Sequence, residues 1–352
     1  MKAFDYKHLP MQFLNGDTLT QKDDILVLNF SGPRRVLSTS AWNGGIREDL
    51  VCAFNYDLSH KKTTYCEMLA PTLAEHMQCL GNIAGLPSNS TGLCTAAQME
   101  NVAIAADTWE DVTVTAIVTA GIDENGGRAG DPASWQEKQG QLGVPVGTVN
   151  LMLHFDCQLL PGILNGALIT ATEAKTAAIQ ELLLPSKRSS GIATGSGTDG
   201  AILVCNLSSP ICLSDSGKHS KLGEMIGRTV FTAVKRALFL QTGACPERLH
   251  DVRRLLGRFG LTRERLCDFF PDFSIDELDL LCKTEDIWTR AAVYGYIMDL
   301  ENWGVVSHTQ ATLMAQNFLG INNSYDLNSF LGHMKKLSPI EGNMELTCPK
   351  MD

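Results

Sequence analysis

The stretch IATGSGTDGAILVCN (192–206) changes character halfway along. Its first half gathers Gly195, Gly197 and Gly200 with the hydroxyls of Thr194, Ser196 and Thr198 and the carboxylate of Asp199. Its second half is an apolar run of strand length. A turn this rich in glycine can aim backbone N–H groups at a ligand or a developing oxyanion. A plain tight connection, its hydroxyls bonded to their own backbone, would have the same composition. The neighbouring sequence has to separate the two.

Immediately upstream, Pro161 suits the first turn of a helix running to Leu184. That helix is full of small residues (Gly162, Gly166, Ala167, Ala171, Ala174, Ala177, Ala178), which lets it lie close to a sheet or another helix. Its middle carries Thr170, Thr172, Glu173, Lys175 and Thr176. Polar groups in a close-packed helix cost free energy unless paired, so Glu173 and Lys175 either face solvent or line a site. Being two apart, they do not share a face. Downstream, an amphipathic helix from about Ser220 to Gln241 sets Leu222, Met225, Ile226, Val230, Ala233, Ala237 and Leu238 on one side.

Farther upstream, 25–30, 36–41, 50–56, 102–107, 112–119 and 148–155 read as strands. Segments 25–30 and 36–41 suit a hairpin across Ser31–Arg34, and 102–107 with 112–119 a second one. Residues 1–24 read as an irregular polar arm. A helical pattern over 65–80 stops at Gly81. Residues 132–146 read as a polar cover. After Gly243 the β-pattern disappears. Helices are expected near 246–259, 262–270, 274–283, 285–303, 308–318 and 325–336, with Ser274 and Glu277 forming a capping box. The expected fold is therefore α+β: antiparallel or mixed sheet, one or two layers, covered by helices over 1–243, then an all-helical domain over 244–352.

Composition narrows the function classes. The 352 residues carry a net charge of −10 and 44% hydrophobic residues. That is a globular composition without the basic footprint of a nucleic-acid binder. No apolar run has transmembrane length and no signal peptide is visible, so a cytoplasmic protein without membrane insertion is expected. The eleven cysteines are scattered and form no C-x-x-C pair, which points away from a disulfide scaffold or a zinc site. No metal ligand set is assigned. G-x-S-x-G, the P-loop pattern and H-E-x-x-H are all missing.

Three loops are read as following strands and carry chemistry-bearing groups: Asn43-Gly44-Gly45; 122–131, with Asn125, Arg128 and Asp131; and 193–199. Asp156 ends a strand, where it could act or cap the next helix. His154 faces the same side of that strand, and a core role suits it equally. His219 lies in a loop at a helix start. Taken alone, these residues describe an α+β enzyme whose pocket is built by Gly-rich loops.

Five blocks then resemble a known family: LSTSAWNGG (37–45), VTAGIDENGGRAGD (118–131), GTVNLMLHFDCQLLPGILNGALITATEAKTAAIQEL (147–182), ATGSGTDGAILV (193–204) and KHSKLGEMIGRTVFTAVKRAL (218–238). In order, over about 25–240, they are similar to the adenosylcobinamide amidohydrolases of corrinoid salvage, the CbiZ type. The resemblance implies hydrolysis of the amide between the aminopropanol arm and the corrin ring, releasing adenosylcobyric acid and 1-amino-2-propanol. It implies a corrinoid substrate whose cobalt is cargo, with no separate cofactor. The family commonly has an apolar residue where this chain has His154, so no role is carried over to it. Residues 246–352 have no counterpart in the resemblance, and homo-oligomerisation is left open.

Amide hydrolysis needs a nucleophile or activated water, oxyanion donors, and a proton for the leaving amine. Asp156, Glu173 or Asp199 is the expected base and Lys175 or His219 the acid. Thr194, Ser196 or Thr198, or water, is the attacking group. Asn43, Gly44, Gly45, Asn125, Arg128, Asp131, Thr172, Gly195 and Gly197 are expected to contact substrate. A corrinoid carrier without hydrolysis is the rival reading. A small-molecule kinase is a third, disfavoured by the missing nucleotide motif.

Overall fold

The computed structural model describes residues 9–58, 68–133, 147–320 and 326–338. The chain divides into two compact units, Met1–Cys245 and Pro246–Asp352.

The first unit contains β1 (Met11–Gln12), β2 (Thr18–Lys22), β3 (Ile25–Asn29), β4 (Arg34–Ser38), β5 (Gly45–Arg47), β6 (Cys52–Asp57), α1 (Leu73–Ile83), β7 (Ser90–Thr95), β8 (Ala103–Trp109), β9 (Val112–Gly121), β10 (Gly126–Gly127), β11 (Thr148–Phe155), β12 (Gln158–Leu159), α2 (Pro161–Glu181), β13 (Gly195–Ser196), β14 (Gly200–Asn206), β15 (Cys212–Leu213) and α3 (Lys221–Thr242). Six strands form one mixed sheet in the order β5-β4-β14-β11-β9-β8, and five form another in the order β1-β2-β3-β6-β7. Within the first sheet β11 and β14 run parallel, joined through α2, and the other neighbours are antiparallel.

The burial pattern explains the layering. Every residue of β11 is buried, because the strand is covered on both faces. Val149, Leu151, Leu153 and Phe155 join Ala167, Ala171, Ala178, Ile226 and Val230 of α2 and α3 in one core. Met152 joins Ile117, Ile202 and Val204, and Leu26 and Leu28 of the second sheet, in another. On the far face of the second sheet, Ile25, Val27, Cys52 and Phe54 pack with Met77 and Leu80 of α1. The unit is thus a four-layer α+β sandwich: helices, sheet, sheet, helix. The small residues of α2 have the use their sequence implies, since Ala167, Ala171 and Ala178 are fully buried.

Several local expectations change. The 25–30 and 36–41 segments do not form a hairpin. β3 pairs with β2 and β6, whereas β4 pairs with β14 and β5, so the chain changes sheets between them. The N-terminal arm supplies β1 and β2 rather than irregular chain. Gly81 does not stop its helix. It lies inside α1, where an added Cβ would stand 2.8 Å from the Trp42 ring. α1 starts only at Leu73, after a Thr72–Glu75 capping box. The hairpin between β8 and β9 forms, closing on Trp109 and Val112 with Glu110 at positive φ. The expected cover at 132–146 lies outside the described residues from 134 onward.

The second unit is helical: α4 (Val252–Leu256), α5 (Arg263–Phe269), α6 (Ile275–Leu281), α7 (Glu285–Asn302), α8 (His308–Leu319) and α9 (Leu327–Leu337). Ser274 and Glu277 do form a capping box on α6. Tyr294 stacks on Phe330 with ring centroids 4.8 Å apart, and Arg258 grips Asp299 bidentately. No described helix in either unit is long and apolar enough to cross a membrane.

Candidate active site

The register brings the three Gly-rich loops to one end of the six-stranded sheet. Thr148 of β11 lies opposite Gly121, Asn150 opposite Gly200, and Ile202 opposite Ser38. The chain after β9, the chain after β4 and the chain before β14 therefore emerge side by side. Gly126 and Gly127 pair with Ser196 and Gly195 in a short antiparallel ladder, which fastens the 122–131 loop to the 193–199 turn. Ala129 N–H donates to Thr194 Oγ1 at 3.0 Å, and Thr176 Oγ1 of α2 donates to Thr194 O at 3.0 Å.

Asp199 is the hub. Its Oδ1 accepts from Val149 N–H at 3.0 Å, Ser196 N–H at 3.0 Å and Ser196 Oγ at 2.7 Å. Its Oδ2 accepts from the Lys175 ammonium. The two side chains are mostly covered, at 10% and 17% exposure for Lys175 and Asp199. Gly195 is required here: a Cβ would stand 2.1 Å from Asp199 Oδ2 and 2.7 Å from Lys175 Nζ. Thr198 closes the cluster. Its N–H donates to Ser196 Oγ at 3.1 Å, its hydroxyl to Gly147 O at 2.8 Å, and Thr148 Oγ1 donates to Thr198 O at 2.7 Å. Of the turn's expected oxyanion donors, Ser196 and Thr198 N–H are thus engaged. Among the described residues, no acceptor meets Gly197 N–H, and Gly197 is exposed.

This arrangement has a hydroxyl within hydrogen-bond reach of a carboxylate that is itself held by a third, cationic group. That is the generalised form of a nucleophile, base and orienting residue.

The other expected residues separate. Glu173 does not belong to the cluster. It pairs with Lys218 in an exposed ion pair, because the two-residue offset from Lys175 turns it to the opposite face of α2. Thr172 is exposed and donates back to Leu168 O at 2.8 Å, an ordinary intrahelical bond. His219 is exposed just ahead of α3, beside Lys218. Asp156 lies at the far end of β11, eight residues and roughly 25 Å from Thr148 at strand rise. There it accepts from Thr113 N–H at 2.8 Å, and burial pushes its carboxyl above the ordinary range. It cannot act on a bond held at Asp199.

Asn43 sits at positive φ and spends its side chain on structure. Its Nδ2 donates to Ser88 O and Ser90 O at 2.9 and 2.8 Å, and Arg47 donates to its Oδ1 at 2.7 Å. Gly44 has no room for a side chain, its Cβ position lying 2.0 Å from Ser40 O, while Gly45 at φ 83° is open. Asn125 donates to Gly147 O, next to the hub. Arg128 and Asp131 close their own loop at 3.1 Å through the Arg128 N–H, and Ser186 Oγ donates to Asp131 at 2.5 Å. Against some burial, these donors hold the Asp131 carboxyl below the usual range.

His154 has a structural setting. It is buried, lies 4.0 Å from the Phe13 ring, and its Nε2 is 3.0 Å from Asp17 Oδ2. Asp17 also takes Arg34 Nε at 2.8 Å, Arg34 Nη2 at 2.7 Å and Ser31 N–H at 2.7 Å. Although burial opposes ionisation, hydrogen bonds from His154, Arg34 and Ser31 outweigh it and hold the Asp17 carboxyl well below its ordinary range. With Asp156, Thr113, Thr115 and Phe13, His154 lines a cavity of about 330 Å³ at this far end.

Sequence reasoning missed Gly147, Thr148 and the N–H of Val149. The only signal was a glycine and a threonine opening an otherwise apolar strand, which also fits a plain strand start.

A family model described as adenosylcobinamide amidohydrolase matches residues 10–246. The uncharacterized protein MJ1613 of Methanocaldococcus jannaschii is 32% identical over 239 residues, covering 64% of this chain and 89% of its own. Among solved structures, the PH0078 protein of Pyrococcus horikoshii aligns at 14% identity and a TM-score of 0.32, covering 68% of this chain and 85% of its own. A β-aminopeptidase of Burkholderia sp. aligns at 13% identity and a TM-score of 0.29, covering 68% and 84%. These two structural fits are too loose to carry any statement about the site. The match over 10–246 spans the whole sandwich and every loop around Asp199, and on it the chain belongs to the adenosylcobinamide amidohydrolase family.

Proposed function

We propose that this protein hydrolyses the aminopropanol amide of adenosylcobinamide, giving adenosylcobyric acid and 1-amino-2-propanol. The observation that carries the reading is the Ser196–Asp199–Lys175 constellation, set among Gly-rich loops in a member of this family. Ser196 Oγ attacks the amide carbonyl carbon as its proton passes to Asp199 Oδ1, 2.7 Å away. Gly197 N–H, exposed on the turn, receives the oxyanion in this scheme. As the C–N bond breaks, Lys175 donates a proton to the departing amine and recovers one from Asp199. Water then hydrolyses the seryl ester by the reverse proton path, so one water is consumed per amide cleaved. The corrinoid cobalt takes no part.

The test is incubation of the full chain with adenosylcobinamide, following adenosylcobyric acid by chromatography with mass detection. Stoichiometric release of the acid and 1-amino-2-propanol is expected. No turnover under conditions where the corrinoid remains intact and soluble would remove the reading. A trapped acyl group on Ser196, seen by mass spectrometry after acid quench, separates serine attack from direct water attack.

A further inference from the structure

Asn150 is an amide between the apolar Val149 and Leu151 of β11, and the sequence assigned it nothing. It is 2% exposed and lies next to Val149, whose N–H holds Asp199. Its side chain points between the two sheets, as Met152 does two residues on. There Nδ2 donates to Cys94 O at 3.0 Å and to Asn55 Oδ1 at 2.7 Å, and Asn55 Nδ2 donates to Thr119 Oγ1 at 2.8 Å.

These bonds fix which way the amide faces. The Cys94 carbonyl can only accept, so the nitrogen of Asn150 must be the group turned to it. The oxygen is then left on the other side. Among the described residues no donor reaches it. Oδ1 lies 3.1 Å from the point where a Cβ on Gly200 would stand, and the nearest side-chain atom to that point is Leu93 Cδ2 at 2.6 Å. Gly200 follows Asp199 and is itself partly exposed. The amide is therefore locked with its oxygen turned toward the backbone that follows Asp199, beside Leu93. Oδ1 has no protein donor among the described residues and is not sealed from solvent, so it can take a donor from a ligand.

We infer that Asn150 is a specificity-determining acceptor, its Oδ1 receiving an amide N–H of the bound substrate next to Asp199. The Cys94 carbonyl is the device that keeps oxygen, and not nitrogen, facing the ligand. The preferred substrate is thereby one that presents a carboxamide N–H, a donor that an ester or a tertiary amide lacks. This rests on the amide-hydrolysis reading above.

The experiment measures corrinoid binding by visible-absorbance titration and steady-state hydrolysis of adenosylcobinamide on the same samples. Asn150→Ala should weaken the dissociation constant and lower kcat/KM by about 10- to 100-fold, the effect of one buried hydrogen bond, with kcat changed less than about 3-fold. A second variant covers the oxygen without touching the amide chain: Gly200→Ala in a Leu93→Ala background, which removes the leucine clash. Measured against Leu93→Ala alone, it should show the same rise in KM. A folded Asn150→Ala with unchanged affinity and kcat/KM overturns the inference, as does a loss confined to kcat. If Asn150→Ala does not fold, the double variant decides, and unchanged kinetics there overturn it. A wild-type protein that neither binds nor hydrolyses the corrinoid overturns both this inference and the function it rests on. An active wild type with unaffected variants overturns this one alone.

Discussion

The two ends of β11 each hold a carboxylate, a cation and a hydroxyl, yet they are built for different ends. At the Thr148 end, Asp199 is gripped by Lys175, Ser196 and Val149 on a turn that stays partly open. At the Phe155 end, Asp17 is fully buried between Arg34 and His154, and these partners tie the chain between β1 and β2 to β4 and β11 of the six-stranded sheet. A buried charge network loses heavily when one member is removed, because the others stay in place unpaired. The Asp199 cluster is less completely enclosed and sits on a turn whose Gly197 is exposed, which keeps a face for a ligand. Burial, more than residue type, distinguishes the framework from the chemistry.

The sharpest way to break this contrast is Asp199→Asn. It should lower turnover of adenosylcobinamide by about 10²- to 10⁴-fold, the usual range for a group handling the proton, while thermal melting shifts little. A near-wild-type rate would put Asp199 among the structural residues.

Next, Asp17→Ala should destabilise the sandwich by about 3–5 kcal/mol, since Arg34 is left buried and uncompensated, measured by denaturant unfolding. The pH dependence has a definite sign. The folded carboxyl is held below its unfolded value, so the stability it contributes is fully present above the unfolded pKa of about 4 and is lost as pH falls below that. The variant should therefore lose part of the acid limb of the stability profile. An equally steep limb would show that Asp17 is not its source.

Glu173→Gln should change turnover less than about 3-fold, because an exposed ion pair such as Glu173–Lys218 contributes little. A large loss would return Glu173 to the site. The smallest effect belongs to Asp156→Asn. Burial already disfavours the ionised form, and the amide still offers an oxygen to Thr113 N–H. Stability at pH 7 should stay within about 0.5 kcal/mol of wild type or rise slightly. A marked loss would mean that the carboxylate charge itself is needed there.

What was legible in the sequence was local. Segment 148–155 reads as a strand, and it is one, though its burial on both faces was not readable. The small residues of α2 announce close packing, and the Gly-rich turn announces backbone that must bend beside side chains. The offset between Glu173 and Lys175 was readable, but not which of them turns inward. A helix with alanine and glycine on several faces gives no hydrophobic stripe to orient it. The partition of β3 and β4 into different sheets was not readable either. Two alternating runs joined by Ser31–Arg34 make a hairpin by every local rule, and only long-range pairing with β14 overrides it. The Asp17–His154 bond spans 137 residues, and nothing in either neighbourhood marks the other. Asn150 shows the same limit, since its partners Asn55 and Thr119 come from two other strands.

Because β11 touches both networks, its length acts as a ruler. An inserted or deleted residue between Gly147 and Asp156 would exchange the faces of every side chain beyond it. Leu153 would turn from the helices toward the other sheet, and either His154 would leave Asp17 or Val149 would leave Asp199. Comparison of relatives should therefore find no gap along the strand.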